Sequence, residues 1–209
     1  MCRDAGRWKW PESRDSIAPA DPLFVRTARS LPRPAMRDDI SMAPSSLSSV
    51  VADPARQFLR HALATLAYRG GKAVRGAPDS FAQFRAADKT RSPGEILAHI
   101  GDLMEWGLAI AQGKQKWNNS TPLSWDAEVR RFFTALEAFE AYLASDQPLH
   151  ESAEKLFQGP LADALTHVGQ IAMLRRLAGT PVRGENYHQA HIIAGRVGAD
   201  QAAPVREFD

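Results

Sequence analysis

Hydrophobic residues recur at helical spacing over four long stretches of the chain, all of them beyond residue 52. In the first stretch, DPARQFLRHALATLAYRG, Leu59 and Leu63 share an apolar face, and Asp53 followed by proline is typical of a helix start. We expect the Gly-Gly pair at 70–71 to end this helix, and Phe81 and Phe84 to pin the long connection that follows it.

The second stretch, SPGEILAHIGDLMEWGLAIAQG, has the clearest start signal in the sequence. Ser92 stands at the N-cap position and Glu95 follows it by three residues, which is the spacing of a capping box. His99 belongs to the same stripe as Ile96 and Leu103, so its imidazole is predicted to point toward the core.

The third stretch, SWDAEVRRFFTALEAFEAYLAS, predicts a helix over about 124–145 with an aromatic core-facing stripe. Its outer face is predicted to be covered by charged residues, namely Arg130, Arg131, Glu137 and Glu140. A short helix, ESAEKLFQG, is then expected to stop before Pro160, where the last long helix begins. That helix should end at Ala178, because Gly179 and a nearby proline are typical stop signals.

These elements predict an all-α protein, an antiparallel four-helix bundle over residues 51–200 followed by a C-terminal tail at 201–209. Residues 1–50 are rich in Pro, Ser, Arg and Asp without sustained periodicity, which predicts a disordered N-terminal extension. Met36 or Met42 is an alternative start, in which case the residues before it, up to 1–41, are not part of the protein.

Composition argues against nucleic-acid-binding, disulfide-bonded and membrane-spanning classes of protein. The 209-residue chain has 26 basic and 24 acidic residues and a formal net charge of +2, and its helices carry no basic stripe, so nucleic-acid binding is not expected. The sole cysteine, Cys2, excludes internal disulfides and thiolate metal clusters. Apolar runs are too short to cross a bilayer and no secretory signal is present, so we expect no membrane partner and a cytoplasmic location.

Ligand-type side chains interrupt the apolar faces at three predicted core positions. His99 lies on the second helix, and Asp163 and His167 lie four residues apart on one face of the last helix, with Gln170 one turn further on. A buried polar group without a hydrogen-bond partner lowers the free energy of unfolding by roughly 1 to 3 kcal/mol. A divalent metal ion would satisfy them, and so would ordinary hydrogen bonds in a structural role.

The two segments that carry these residues, SPGEILAHIGDLMEW and LTHVGQIAMLRRLAG, resemble the DinB-like family of metalloenzymes. These are damage-inducible four-helix bundles related to bacterial thiol transferases. The segment GENYHQAHIIAGRVG is similar to a signature of a subgroup of that family. The resemblance covers about residues 53–198, and it implies an up-down-down-up bundle with one metal ligand from the second helix and two from the fourth. This sequence has Asp163 where the family's usual pair on the fourth helix begins with histidine.

The resemblance therefore implies a metal site formed by His99, Asp163 and His167, with a divalent ion such as Zn, Ni, Mn or Fe. Gln170 would orient a ligand, and Asn186 and Tyr187 would line the mouth of the pocket. The implied activity is that of a hydrolase or a low-molecular-weight-thiol-dependent transferase acting on a small-molecule substrate, in a chain that pairs as a homodimer. The alternative is a non-catalytic dimeric bundle that serves as an interaction or stress-response protein.

Four further residues are open to two interpretations. His188 and His191 form a second candidate ligand pair, although they lie in a segment without a predicted helix. Arg175 and Arg176 either meet an anionic substrate or form a solvated helix end.

Overall fold

Long helices make up most of the molecule. The computed structural model describes residues 53–208, and the predicted disordered extension at 1–50 lies outside them. The helices are α1 (Pro54–Val74), α2 (Pro93–Ala111), α3 (Trp125–Ala144), α4 (Ala153–Leu156) and α5 (Ala162–Leu177). The two strands that the structure describes are two residues each, so the prediction of an all-α protein is confirmed.

Helix α1 begins where the sequence predicts and ends later. The Asp53 side chain accepts a hydrogen bond from the backbone N–H of Ala55 and caps the first turn. The predicted end at residues 70–71 is wrong, because the helix continues to Val74 through both glycines. Gly70 serves close packing instead: a Cβ on it would lie 2.5 Å from Cζ of Phe132 on α3.

Helix α2 has the predicted capping box in full. The Ser92 hydroxyl accepts from the backbone N–H of Glu95, and the Glu95 carboxylate accepts from the backbone N–H of Ser92. In the preceding connection, Phe81 is buried within a short 3₁₀ turn and Phe84 packs partly buried against the core, as expected.

Helix α3 has the predicted aromatic core face, since Phe132, Phe133 and Phe139 are buried. Its outer face differs from the prediction at two charged positions. Glu140 is buried and bound by Arg60 at 2.7 Å, and Arg131 is turned toward acidic residues of α2. Single-helix periodicity missed both, because the partners lie on other helices.

The last helical segment is continuous rather than broken at Pro160. Between α4 and α5 the chain forms a widened π-helical turn, Phe157–Leu161, which contains Pro160. Proline has no N–H to donate and crowds the carbonyl one turn earlier, and a widened turn accommodates both defects. The end of α5 is as predicted, with Gly179 in the left-handed region at φ 77°.

The four long helices enclose one core. Helix α1 packs against α3 and α5, and α2 packs against the same two, so the helices form a closed ring of contacts. Fully buried side chains line its interior, among them Leu59, Leu63, Ile100, Met104 and Leu136. Among the described residues, no helix combines the length and the apolar character needed to cross a membrane.

The C-terminal segment is attached to the helices. Strand β1 (Gly184–Glu185) pairs antiparallel with β2 (Glu207–Phe208). The hydroxyl of Tyr68 on α1 donates to the buried Glu185 carboxylate at 2.6 Å, and Lys72 contacts both Glu185 and Glu207. The described part of the predicted 201–209 tail is therefore held against α1 by a polar cluster.

Candidate metal centre

Three ligand-type side chains from α2 and α5 converge at one point. His99, Asp163 and His167 each offer a ligand atom, and these atoms all lie within 4.8 Å of one another. The Asp163 carboxylate lies between the two imidazoles, with Oδ2 3.7 Å from Nε2 of His99 and Oδ1 3.4 Å from Nε2 of His167. The stripe predicted from helical spacing is thus brought together across two helices.

The orientation of His167 is fixed by its neighbour on the same helix. Its Nδ1 lies 3.0 Å from Oε1 of Gln170. The neutral tautomer with its proton on Nδ1 would donate to this amide oxygen and leave the lone pair of Nε2 directed at Asp163. Metal-ligating histidines are commonly held by such a hydrogen bond on their second nitrogen.

The prediction that these groups are buried in the core is wrong for Asp163, which is 48% exposed, whereas His99 is 21% exposed and His167 12%. Burial lowers the pKa of His99, the charges of His167 and Arg91 lower it further, and Asp163 opposes them. The result favours the neutral imidazole, which is the form that binds metal ions.

An aromatic wall flanks His99 on a second side. The ring of Trp117, from the loop between α2 and α3, meets the imidazole nearly edge-on at a centroid distance of 5.7 Å. Trp106 of α2 supports Trp117 from behind, also at 5.7 Å. The loop is tied to α2 by Ser120, whose backbone N–H and hydroxyl both donate to the Asp102 carboxylate.

A polar pocket of about 380 Å³ opens beside His99. Its walls include charged side chains of the connection that leads into α2, namely Arg85, Asp88, Lys89 and Arg91. A small molecule in this pocket would therefore lie next to one of the candidate ligands.

The donor set and its spacing fit a divalent cation. Two imidazole nitrogens and one carboxylate leave coordination positions open, as in catalytic sites. Two ligands about 2.1 Å from a tetrahedral ion stand about 3.4 Å apart, whereas N–H···O hydrogen bonds are typically about 2.9 Å long. The 3.4 and 3.7 Å separations around Asp163 are close to the first distance, and the widest separation in the set, up to 4.8 Å, would have to shorten for all three groups to bind one ion.

The other sequence-predicted site residues have contacts elsewhere. The Asn186 side chain accepts from the backbone N–H of His188. Tyr187 meets the ring of Tyr68 edge-on and lies under the guanidinium of Arg69. It lines a different pocket, beside Gly169 and Met173 of α5, so its role at the mouth of the metal centre stays a prediction.

The two pairs left open by the sequence are now placed. His188 and His191 are both exposed on the C-terminal segment and are not part of the His/Asp/His cluster. Arg175 is buried and donates to the backbone carbonyls of Ala73 and Arg75 at the end of α1, so it belongs to the packing of the fold. Arg176 is exposed.

Sequence reasoning missed Trp117 and Arg91. Both lie outside the helices, where periodicity carries no information. The available signal for Trp117 was a large aromatic residue within the polar loop KQKWNNST.

Comparisons of the chain with protein-family models, with curated proteins and with solved structures give no match.

Proposed function

We propose that this protein is a divalent-metal-dependent enzyme in which His99, Asp163 and His167 bind the ion. The convergence of three ligand atoms within 4.8 Å is the observation that carries the proposal. The sequence resemblance to DinB-like metalloenzymes supports it, and the closed ring of four helices is compatible with the up-down-down-up bundle that we propose with it. Zinc, nickel, manganese or iron would suit this donor set.

Each surrounding residue has a definite part in such a site. Gln170 holds the His167 ring so that Nε2 points at the shared position, and Asp163 supplies negative charge there. Trp117 covers one side of His99 and limits the access of water. A divalent cation bound by these residues supplies Lewis acidity, which lowers the pKa of a water molecule or thiol in contact with it.

The proposed reaction class is hydrolysis or transfer of a low-molecular-weight thiol to an electrophile. The pocket beside His99 gives a small substrate access to the open coordination positions. The two reactions are separable with simple probes: hydrolysis releases nitrophenolate from a p-nitrophenyl ester, whereas a thiol transferase displaces chloride from 1-chloro-2,4-dinitrobenzene with a C–S bond formed.

Metal stoichiometry is the decisive measurement. The purified full-length chain should bind close to one equivalent of added Zn²⁺ by calorimetry, and His99→Ala and His167→Ala should each abolish that binding while far-UV circular dichroism stays unchanged. His61→Ala is the matched control, because His61 is an exposed histidine on α1 away from the cluster. Unchanged zinc binding in the two cluster variants would refute the ligand set and favour the non-catalytic bundle instead.

A further inference from the structure

Two cavities of opposite character lie next to residues of the candidate metal centre. The polar pocket beside His99 has a volume of about 380 Å³. A neighbouring apolar groove of about 370 Å³ is lined by residues that include Ile96, Met173 and Leu174. The groove also contains Gln170, whose amide holds the His167 ring. One candidate ligand therefore borders the pocket, and the residue that orients another borders the groove.

Thr90 and Arg91 line both cavities. They come directly before the capping box of α2, which fixes the backbone at this point through Ser92 and Glu95. Arg91 thus stands at the junction of the polar pocket and the apolar groove, with its side chain exposed to both.

Within the described part of the chain, two cations of the polar pocket lack a carboxylate partner. Glu95 is paired with Arg85 at 2.8 Å, and Asp102 is paired with Arg131 of α3 at 2.5 Å. The charges of the residues that line the pocket sum to zero, with Arg85, Lys89 and Arg91 against Asp88, Glu95 and Asp102, so anion binding there depends on individual unpaired cations. Among residues 53–208, the structure gives neither Lys89 nor Arg91 a carboxylate partner, so both cations can receive an anion.

We propose that the substrate is an amphipathic anion whose acidic group binds Arg91 while its apolar part occupies the groove along Met173. Its reacting atom would then lie near His99, which lines the polar pocket together with Arg91. This inference rests on the proposed function for the chemistry, but the binding site itself is built from residues outside the metal ligands. Arginine suits the task because its planar guanidinium donates two parallel hydrogen bonds to a carboxylate or phosphate.

Phenylacetate is the probe for this site, with uncharged phenylacetamide and short acetate as comparison ligands. Dissociation constants would be measured by NMR titration of the full-length chain, metal-free and Zn²⁺-loaded. We expect phenylacetate to bind about tenfold more tightly than either comparison ligand, because only phenylacetate offers both a charge and a ring.

Two pairs of variants assign the subsites. Arg91→Gln should weaken phenylacetate binding about tenfold, whereas Arg130→Gln, which removes the same charge from an exposed position on α3, should not change it. Met173→Gln should weaken phenylacetate but not acetate, whereas Leu177→Gln, at an exposed apolar position one turn further along α5, should leave both unchanged.

The inference is overturned if phenylacetamide binds as tightly as phenylacetate, or if Arg91→Gln and Arg130→Gln behave alike. Zinc stoichiometry measured on the same samples separates this failure from failure of the proposed function. Arg91-dependent binding to a chain that takes up no zinc would support the anion site and refute the metal site. If His167→Ala loses zinc binding but phenylacetate binding does not depend on Arg91, the metal site is supported and the anion site is refuted.

Discussion

Two polar clusters on helix α2 lie one turn apart and are constructed in opposite ways. Around Asp102, a buried carboxylate is bound by Arg131 at 2.5 Å and by the backbone and hydroxyl of Ser120. Around His99, the polar atoms face one another at 3.4 to 3.7 Å without direct hydrogen bonds between the candidate ligands. In the first cluster the Asp102 carboxylate receives hydrogen bonds from its neighbours. In the second cluster the candidate ligand atoms face one another without such donors.

The difference separates a structural polar cluster from a binding site. Buried charges that are fully paired hold elements in register, here α2, α3 and the loop between them. The part-exposed lone pairs around Asp163 are open to water, and a cation bound there would take the place of that water. The predictions below test this distinction, beginning with the largest expected effect.

Replacing Arg131 by methionine should cost about 3 to 5 kcal/mol of unfolding free energy, because it strands the buried carboxylates of Asp102 and Glu128. Urea denaturation of the variant checks this value. Arg130→Met, at the neighbouring exposed position, should change stability by less than about 0.5 kcal/mol. A loss below about 1 kcal/mol in Arg131→Met would contradict the structural role of the first cluster.

Zinc should stabilise the wild-type chain against urea by about 4 kcal/mol when its concentration is about a thousand times the dissociation constant. Because the metal binds only the folded arrangement of both helices, His99→Ala should show no such increase. The same titration with His61→Ala should reproduce the wild-type increase. Equal stabilisation of the His99 variant and the wild type would show that zinc binds elsewhere.

Gln170→Ala should weaken zinc binding about tenfold with little loss of fold stability, because the His167 ring loses the hydrogen bond that orients it. Competition with a chelator of known affinity measures the change. Gln170→Glu should retain binding, since a carboxylate also accepts from Nδ1. Unaltered affinity in the alanine variant would remove Gln170 from the site.

The smallest expected effect concerns the start of α2, where the Glu95 carboxylate also has hydrogen-bond donors of its own. The hydrogen bonds from Arg85 and from the Ser92 backbone lower the pKa of Glu95 to about 2. Because the folded pKa is depressed, the stabilisation is present above about pH 4.5, the ordinary value, and is lost as the pH falls toward 2.

The stability difference between wild type and Glu95→Gln should accordingly shrink over that pH interval. We expect it to be below about 1 kcal/mol at neutral pH, since the pair is partly exposed and screened. Urea denaturation at several pH values measures it, and a difference that is constant with pH would contradict the ion pair.

The parts that sequence reasoning predicted correctly are those set by local spacing. The capping box of α2 and the facing of Asp163 and His167 on α5 both follow from residues within one turn of each other. The meeting of His99 with that pair required packing of α2 against α5, which local spacing within one helix does not determine.

The parts that it missed depend on partners distant in the chain. The sequence pattern predicts Arg131 on the outer face of α3, because its partner Asp102 lies on another helix. It likewise allows Arg175 to be a solvated helix end, because the carbonyls that Arg175 binds belong to α1. Pro160 predicts a helix break from sequence alone. Whether the chain forms a widened turn instead depends on the free energy of that turn in its packed surroundings, which the local sequence does not give. Pairing between helices and local backbone adjustment are both invisible to a single-helix pattern.

The widened turn at Phe157–Leu161 also sets the angular phase of everything that follows it. A residue added to one turn rotates the downstream helix by about 100° relative to an unbroken α-helix. Asp163 lies two residues after that segment. The direction in which its carboxylate and the His167 ring point from the helix axis is therefore set by the widened turn. Shortening the chain by a single residue there would swing both groups off His99 while leaving every side chain of the trio in the sequence.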